Sequence, residues 1–138
     1  MERSLDGALT ILLLGFAALA VPQDSSHPSG WDVPEEARAV ENPVPLSPEV
    51  LEAGATLYEK NCVMCHGESA KGDGPATQFV KPAPPDISTA EARARMTDGE
   101  IFYKITVGKK PMPAMNKKLT EEERWKVIHY LRSLQAKE

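Results

Sequence analysis

An all-α domain, built of three or four short helices joined by long loops, is what this chain predicts. Three observations carry that expectation. Ser/Thr-x-x-Glu pairs that can cap a helix start recur at Ser88 with Glu91, Thr97 with Glu100 and Thr120 with Glu123. Apolar residues after Ser47, Thr97 and Thr120 return at spacings of three and four, the helical period. No run alternates apolar and polar residues as a half-buried strand would.

The first helix starts at Ser47-Pro48-Glu49, with an N-cap, a proline at the first helical position and an acid in the first turn. Leu51, Gly54, Ala55, Tyr58, Cys62 and Cys65 follow on one helical stripe. Gly54 inside a helix costs stability relative to alanine, which points to close approach by another helix. Gly67 to Ile87, "GESAKGDGPATQFVKPAPPDI", is a loop with a short helical turn around Ala76 to Val80. A short helix runs from the Ser88 cap through Arg95. The next opens at Thr97, turns Ile101, Phe102 and Ile105 inward and ends at Gly108. The last helix is the strongest: Val127, Tyr130, Leu131 and Leu134 form its apolar face, widened by Trp125 and Ile128. No internal repeat is visible.

The 138 residues suffice for one domain. Aromatic residues are few at 6% and prolines many at 12, so the side-chain core is small and has room for a cofactor. A net charge of −4 argues against nucleic acid as a partner. Residues 1–20 read as a signal peptide: Ala8 to Ala20 is a 13-residue apolar run ending Ala-Leu-Ala, too short to span a bilayer. An uncleaved anchor is the alternative, since Glu2 and Asp6 offset Arg3. Residues 21–45 carry five prolines and no periodicity, and read as an extended linker. A docking arm anchored on a partner through Trp31 is the second reading. The folded domain is expected over 46–138, in a periplasmic or other extracytoplasmic compartment.

Both cysteines fall in "NCVMCHGESAKGDG", and His66 directly follows the second. A thioredoxin-like pair requires a βαβ setting that the pattern lacks. Structural zinc requires four ligands, and beyond Cys62, Cys65 and His66 only His27 or His129 remains. Covalent haem accounts for the spacing, because positions i, i+3 and i+4 share one side of a helix. Cys62 and Cys65 can then bond two edge positions of a macrocycle while His66 faces the iron. Electron-transfer haems pair His with Met. Met112, held between Pro111 and Pro113 in "GKKPMPAM", is the preferred second ligand, and Met115 is its rival.

Together "CVMCH", "MPAM" and "LTEEERWKVIHYLRSL" resemble the class I c-type cytochrome family from Ser47 to the C-terminus. The resemblance implies a small cytochrome c fold around one covalent haem c, with thioethers at Cys62 and Cys65. It also implies a proximal ligand at His66, a distal ligand at Met112, and packing of Gly54 and Tyr58 against Tyr130 and Leu131. "KGDGPA" and "KPAPPDIS" are similar to small monohaem cytochromes of bacterial respiratory complexes, such as the monohaem subunit of alternative complex III. The implied function is one-electron transfer in an exported respiratory chain, without an enzymatic activity of its own. A fixed subunit of a membrane respiratory complex, docked through the N-terminal arm, is the alternative. A haem sensor or peroxidase would require a labile or absent Met ligand. Lys104, Lys109, Lys110, Lys117 and Lys118 lie in a stretch free of acids between Glu100 and Glu121. They read as a basic collar that steers the protein to an acidic surface on redox-partner proteins.

Overall fold

The computed structural model describes residues 30–135. Within them the chain forms α1 (Glu35–Arg38), α2 (Pro48–Asn61), α3 (Val63–His66), α4 (Ala90–Arg95), α5 (Asp98–Val107) and α6 (Glu121–Leu134). A 3-10 turn spans Pro75–Gln78, and there is no strand among the described residues beyond one isolated bridge between Lys109 and Met112. The all-α class is as expected, in more pieces than three or four. No helix among the described residues is long and apolar enough to cross a membrane. The apolar leader lies outside them.

Local chemistry sets most helix starts. Ser47 caps α2 by accepting from the Val50 amide at 3.2 Å, with Pro48 at the first helical position. Thr120 and Glu123 complete a reciprocal capping box at α6: the hydroxyl accepts from the Glu123 amide at 3.2 Å, and the carboxylate accepts from the Thr120 amide at 2.7 Å. Two other starts differ from expectation. At α4 the cap is Thr89, accepting from the Ala92 amide at 3.1 Å. Ser88 is drawn away because its amide and hydroxyl both donate to Asp86, at 2.9 and 2.6 Å. At α5 Thr97 caps the Glu100 amide at 3.1 Å, but the Glu100 carboxylate pairs with Lys104 at 2.6 Å instead of closing the box.

The core gathers Tyr58, Ile101, Ile105, Met115, Leu119, Trp125, Val127, Ile128 and Leu131. Its frame is the packing of α2 on α6. A Cβ on Gly54 would overlap the Lys126 carbonyl oxygen, which is why a glycine stands there. The Tyr58 and Tyr130 rings meet at 5.4 Å between centroids, and Phe102 stacks on Trp125 at 3.9 Å. Arg132 holds α6 to α5 by donating from Nε to Asp98 at 2.7 Å. Gln135, buried, donates to the Ile87 carbonyl at 2.9 Å and fixes the long loop.

Residues 30–45 depart most from the expected tether. They lie along α5 and α6 as a strap, so packed structure begins well ahead of residue 46. Val33 is buried, and the strap backbone passes so close to α5 that a Cβ on Gly99 would overlap the Ala37 carbonyl oxygen. Thr97 donates to the Arg38 carbonyl at 2.8 Å, and Asn42 donates to the Trp125 carbonyl at 3.1 Å. The His129 Nε2 lies 2.7 Å from the Val44 carbonyl oxygen, which can only accept, so that nitrogen carries the proton. Thr97 and His129 thus serve strap carbonyls, while Asn42 both reaches α6 and accepts from the Val44 amide at 3.0 Å within the strap.

Candidate functional site

The expected single stripe from Leu51 to Cys65 is interrupted at Cys62. Its φ of −121° and ψ of −36° end α2, and the chain restarts as the short helix α3. The break turns the motif relative to the helix before it, while the spacing within it stays helical: the His66 amide donates to the Cys62 carbonyl at 2.8 Å. The turn is pinned from both sides. Tyr58, on α2, donates its hydroxyl to the Gly67 carbonyl at 2.9 Å. Beyond it, the Gly72 and Gly74 amides donate to the carbonyls of His66 and Cys65, at 2.8 and 3.2 Å. Gly67 adopts φ +76°, and a Cβ there would overlap the Asp73 carboxylate. The hydroxyl of Tyr58 is a role the sequence hid, since its place on the apolar stripe indicated packing alone.

Cys62 and Cys65 are free and half-buried. Burial first, and the neighbouring Cys65 second, push the Cys62 thiol up to about 12. The His66 ring is also withdrawn from water, which holds its pKa below the ordinary imidazole value. The neutral ring is the form that ligates a metal. Its Nδ1 is buried without a hydrogen-bond partner. A buried, neutral, incompletely satisfied histidine beside two unlinked thiols fits covalent haem, which would bond both sulfurs and take one ring nitrogen on its iron. Zinc is a poorer fit, since His129, the one other described histidine, is committed to the Val44 carbonyl.

Met112 sits in a closed loop after α5. Gly108, at φ +63°, reverses the chain so tightly that a Cβ would overlap the Ala114 amide. Lys109 and Met112 exchange both backbone hydrogen bonds, at 3.0 and 2.8 Å. The Met115 amide donates to the Ile105 carbonyl at 3.0 Å and closes the loop onto α5. The two methionines separate by burial: Met115 is a buried member of the core, whereas Met112 is half-buried and packs against that core from outside. Met96, half-buried, lies with its sulfur 3.8 Å from the Lys104 ammonium.

The basic collar is smaller than the sequence suggested. Lys109, Lys110, Lys117 and Lys118 are exposed, but Lys104 is drawn inward by Glu100, whose side chain is 1% exposed. An i, i+4 pair reads the same in sequence whether it lies in water or under a strap.

The family described as Cytochrome c matches residues 51–135. The chain belongs to that family. Cytochrome c550 of Pseudomonas aeruginosa is 32% identical over an alignment of 95 residues that covers 64% of this chain and 58% of that protein. Among solved structures, a chain of the Kuenenia stuttgartiensis reducing HAO-like protein complex Kustc0457/Kustc0458 is 28% identical with a TM-score of 0.59, over 70% of this chain and 50% of that one. The KustC0563 c-type cytochrome is 26% identical with a TM-score of 0.53, over 60% of this chain and 98% of its own length. This cytochrome therefore spans little more than half the length of cytochrome c550 and half that of the complex chain. It is a monohaem class I c-type cytochrome whose cofactor is covalent haem c, and the Cys62–Cys65–His66 segment fits the attachment motif. Haem-based electron transfer is the function that membership supports.

Proposed function

We propose that this cytochrome is a one-electron carrier in an exported respiratory chain, with His66 and Met112 as the axial ligands of its haem. Cys62 and Cys65 hold the group through thioethers. The chemistry haem c supplies when bound is one-electron exchange between ferric and ferrous iron. The observation that carries the ligand assignment is the contrast between the two methionines: Met115 is spent on the core, and Met112 is held by paired backbone bonds at the core's edge. With His66 and Met112 both holding the iron, no coordination site would be left for a substrate, which favours a carrier over an enzyme. Residues 1–20 direct the chain to the periplasm, and residues 46–138 carry the haem.

The chain's own residues do three things for this reaction. His66 stays neutral through burial and is available as a ligand. Tyr58 and the amides of Gly72 and Gly74 keep its turn from shifting. The exposed Lys110, Lys117 and Lys118 draw in an acidic surface of a redox partner. A second reading, a fixed monohaem subunit of a membrane respiratory complex such as alternative complex III, is favoured by one observation: a similar solved chain comes from a redox protein complex.

Visible spectra of the purified holoprotein, oxidised and reduced, test the proposal beside Met112→Ala. The expected result is a low-spin His/Met spectrum whose sulfur-to-iron charge-transfer band vanishes in the variant. A band that survives makes Met115 or Met96 the ligand, and a high-spin spectrum in the unmutated protein overturns the carrier reading.

A further inference from the structure

The strap over residues 30–44 lies outside the family match, which begins at Leu51, and its first described residues arrive beside the Met112 loop. The Trp31 ring lies 5.9 Å from the Lys109 ammonium and 5.8 Å from the Lys104 ammonium. Lys109 also donates its ammonium to the Gly30 carbonyl. These are two kinds of contact on one side chain, and that side chain belongs to the residue whose backbone pairs in both directions with Met112. One residue therefore connects the strap to the loop of the proposed ligand.

A connection transmits force only if its far end is fixed, and here it is. Lys104, the other cation at the Trp31 ring, is held by the buried Glu100 carboxylate at 2.6 Å. Past Trp31, Val33 is buried, Thr97 and His129 bond the strap at the carbonyls of Arg38 and Val44, and Asn42 of the strap donates to the Trp125 carbonyl on α6. The strap is thus fastened to α5 and α6 along its length, and its Trp31 end bears on Lys109.

From this we infer that Trp31 is a positioning residue: acting through Lys109, it latches the Met112 loop and keeps the methionine on the haem iron against competing ligands. The inference rests on the assignment of Met112 as ligand. The latch sets how readily Met112 is displaced, and partner recognition is left to the lysines further round the loop. Without it, the loop closes only through its own backbone bonds and the Met115 amide.

The test is a titration of the ferric holoprotein with imidazole, read as loss of the sulfur-to-iron band, in Trp31→Ala, Trp31→Phe, Lys109→Gln and Met112→Ala. Loss of the single Trp31–Lys109 cation–π contact, at ordinary exposed strength, corresponds to an imidazole affinity raised about two- to fivefold. Trp31→Ala and Lys109→Gln should each show it, the double variant little more, and Trp31→Phe, which keeps an aromatic face, should stay near the unmutated protein. Lys109→Gln changes an exposed side chain and leaves Trp31 in place, so it serves if Trp31→Ala does not fold. A Trp31→Ala protein with lower thermal stability but unchanged imidazole affinity overturns the latch and leaves Trp31 as packing. If Met112→Ala retains the band, the ligand assignment itself fails and the latch falls with it. Loss of the band in Met112→Ala, with unchanged affinity in both Trp31→Ala and Lys109→Gln, overturns the latch alone.

Discussion

Gly54 on α2 and Lys126 on α6 meet backbone to backbone, with no room between them for a single methyl group. Helix propensity and packing pull in opposite directions there. Alanine would favour α2 by about 1 kcal/mol. Forcing a Cβ against a main-chain carbonyl costs about 1–3 kcal/mol, because backbone cannot rotate aside as a side chain can. Packing wins. Gly54→Ala is expected to destabilise the holoprotein by up to about 2 kcal/mol, measured by denaturant unfolding. A stabilised variant would mean that the two helices part without penalty.

What was legible in the sequence is what local chemistry decides. Ser47, Thr97 and Thr120 cap the helices they were expected to cap, since a hydroxyl three residues before an amide needs nothing from elsewhere. Ser88 does not cap its helix because Asp86, two residues earlier, competes for it. The haem motif and the glycine on α2 were legible because their spacing carries the information. The strap was not, because Asn42 and His129 make contacts that join positions more than eighty residues apart in a proline-rich stretch without periodicity. The inward turn of Lys104 was hidden for the same reason: burial under Trp31 is a property of the fold and not of the Glu100–Lys104 spacing.

The two methionines of the loop give opposite expectations. Met112→Ala should abolish the sulfur-to-iron band and lower the reduction potential, since the thioether favours the reduced iron, while unfolding shifts little. Met115 is 6% exposed, and Met115→Ala empties part of the core. It should cost about 2–5 kcal/mol of stability and keep the band. The pair is read with one absorption spectrum and one unfolding curve per variant, and exchange of the two outcomes would reverse the assignment.

The α6 capping box gives the protein an acid-sensitive element. The Thr120 amide first, and its hydroxyl second, hold the Glu123 carboxyl below the ordinary glutamate value. The folded state thus favours the ionised form, and on acidification the unfolded chain takes up the proton first. This contribution is complete above the unfolded glutamate pKa of about 4.3 and is lost as the pH falls through the lower folded value. Glu123→Ala should therefore melt at a lower temperature than the unmutated protein at pH 7, by circular dichroism, and the gap should close as the pH falls below the ordinary glutamate range. A gap of constant size across that range would show that the ionised cap is not its source.

The charged residues around the Met112 loop divide into those that face water and one that does not, and mutation should separate their effects. Lys110, Lys117 and Lys118 are exposed, so they act on a partner through a field that salt screens. Replacing all three with glutamine should slow electron transfer to an acidic redox partner at low ionic strength and flatten the fall in rate as salt is added, with stability nearly unchanged. Lys104→Gln should do the reverse. It removes the ammonium 2.6 Å from a carboxylate that is itself 1% exposed, and breaking a buried pair from one side costs on the order of 3 kcal/mol. Its electron-transfer rate should keep the salt dependence of the unmutated protein wherever it remains folded. Stopped-flow rates across a salt series, beside an unfolding curve for each variant, distinguish the two groups. A triple variant with the original salt dependence would remove the lysine surface from partner recognition.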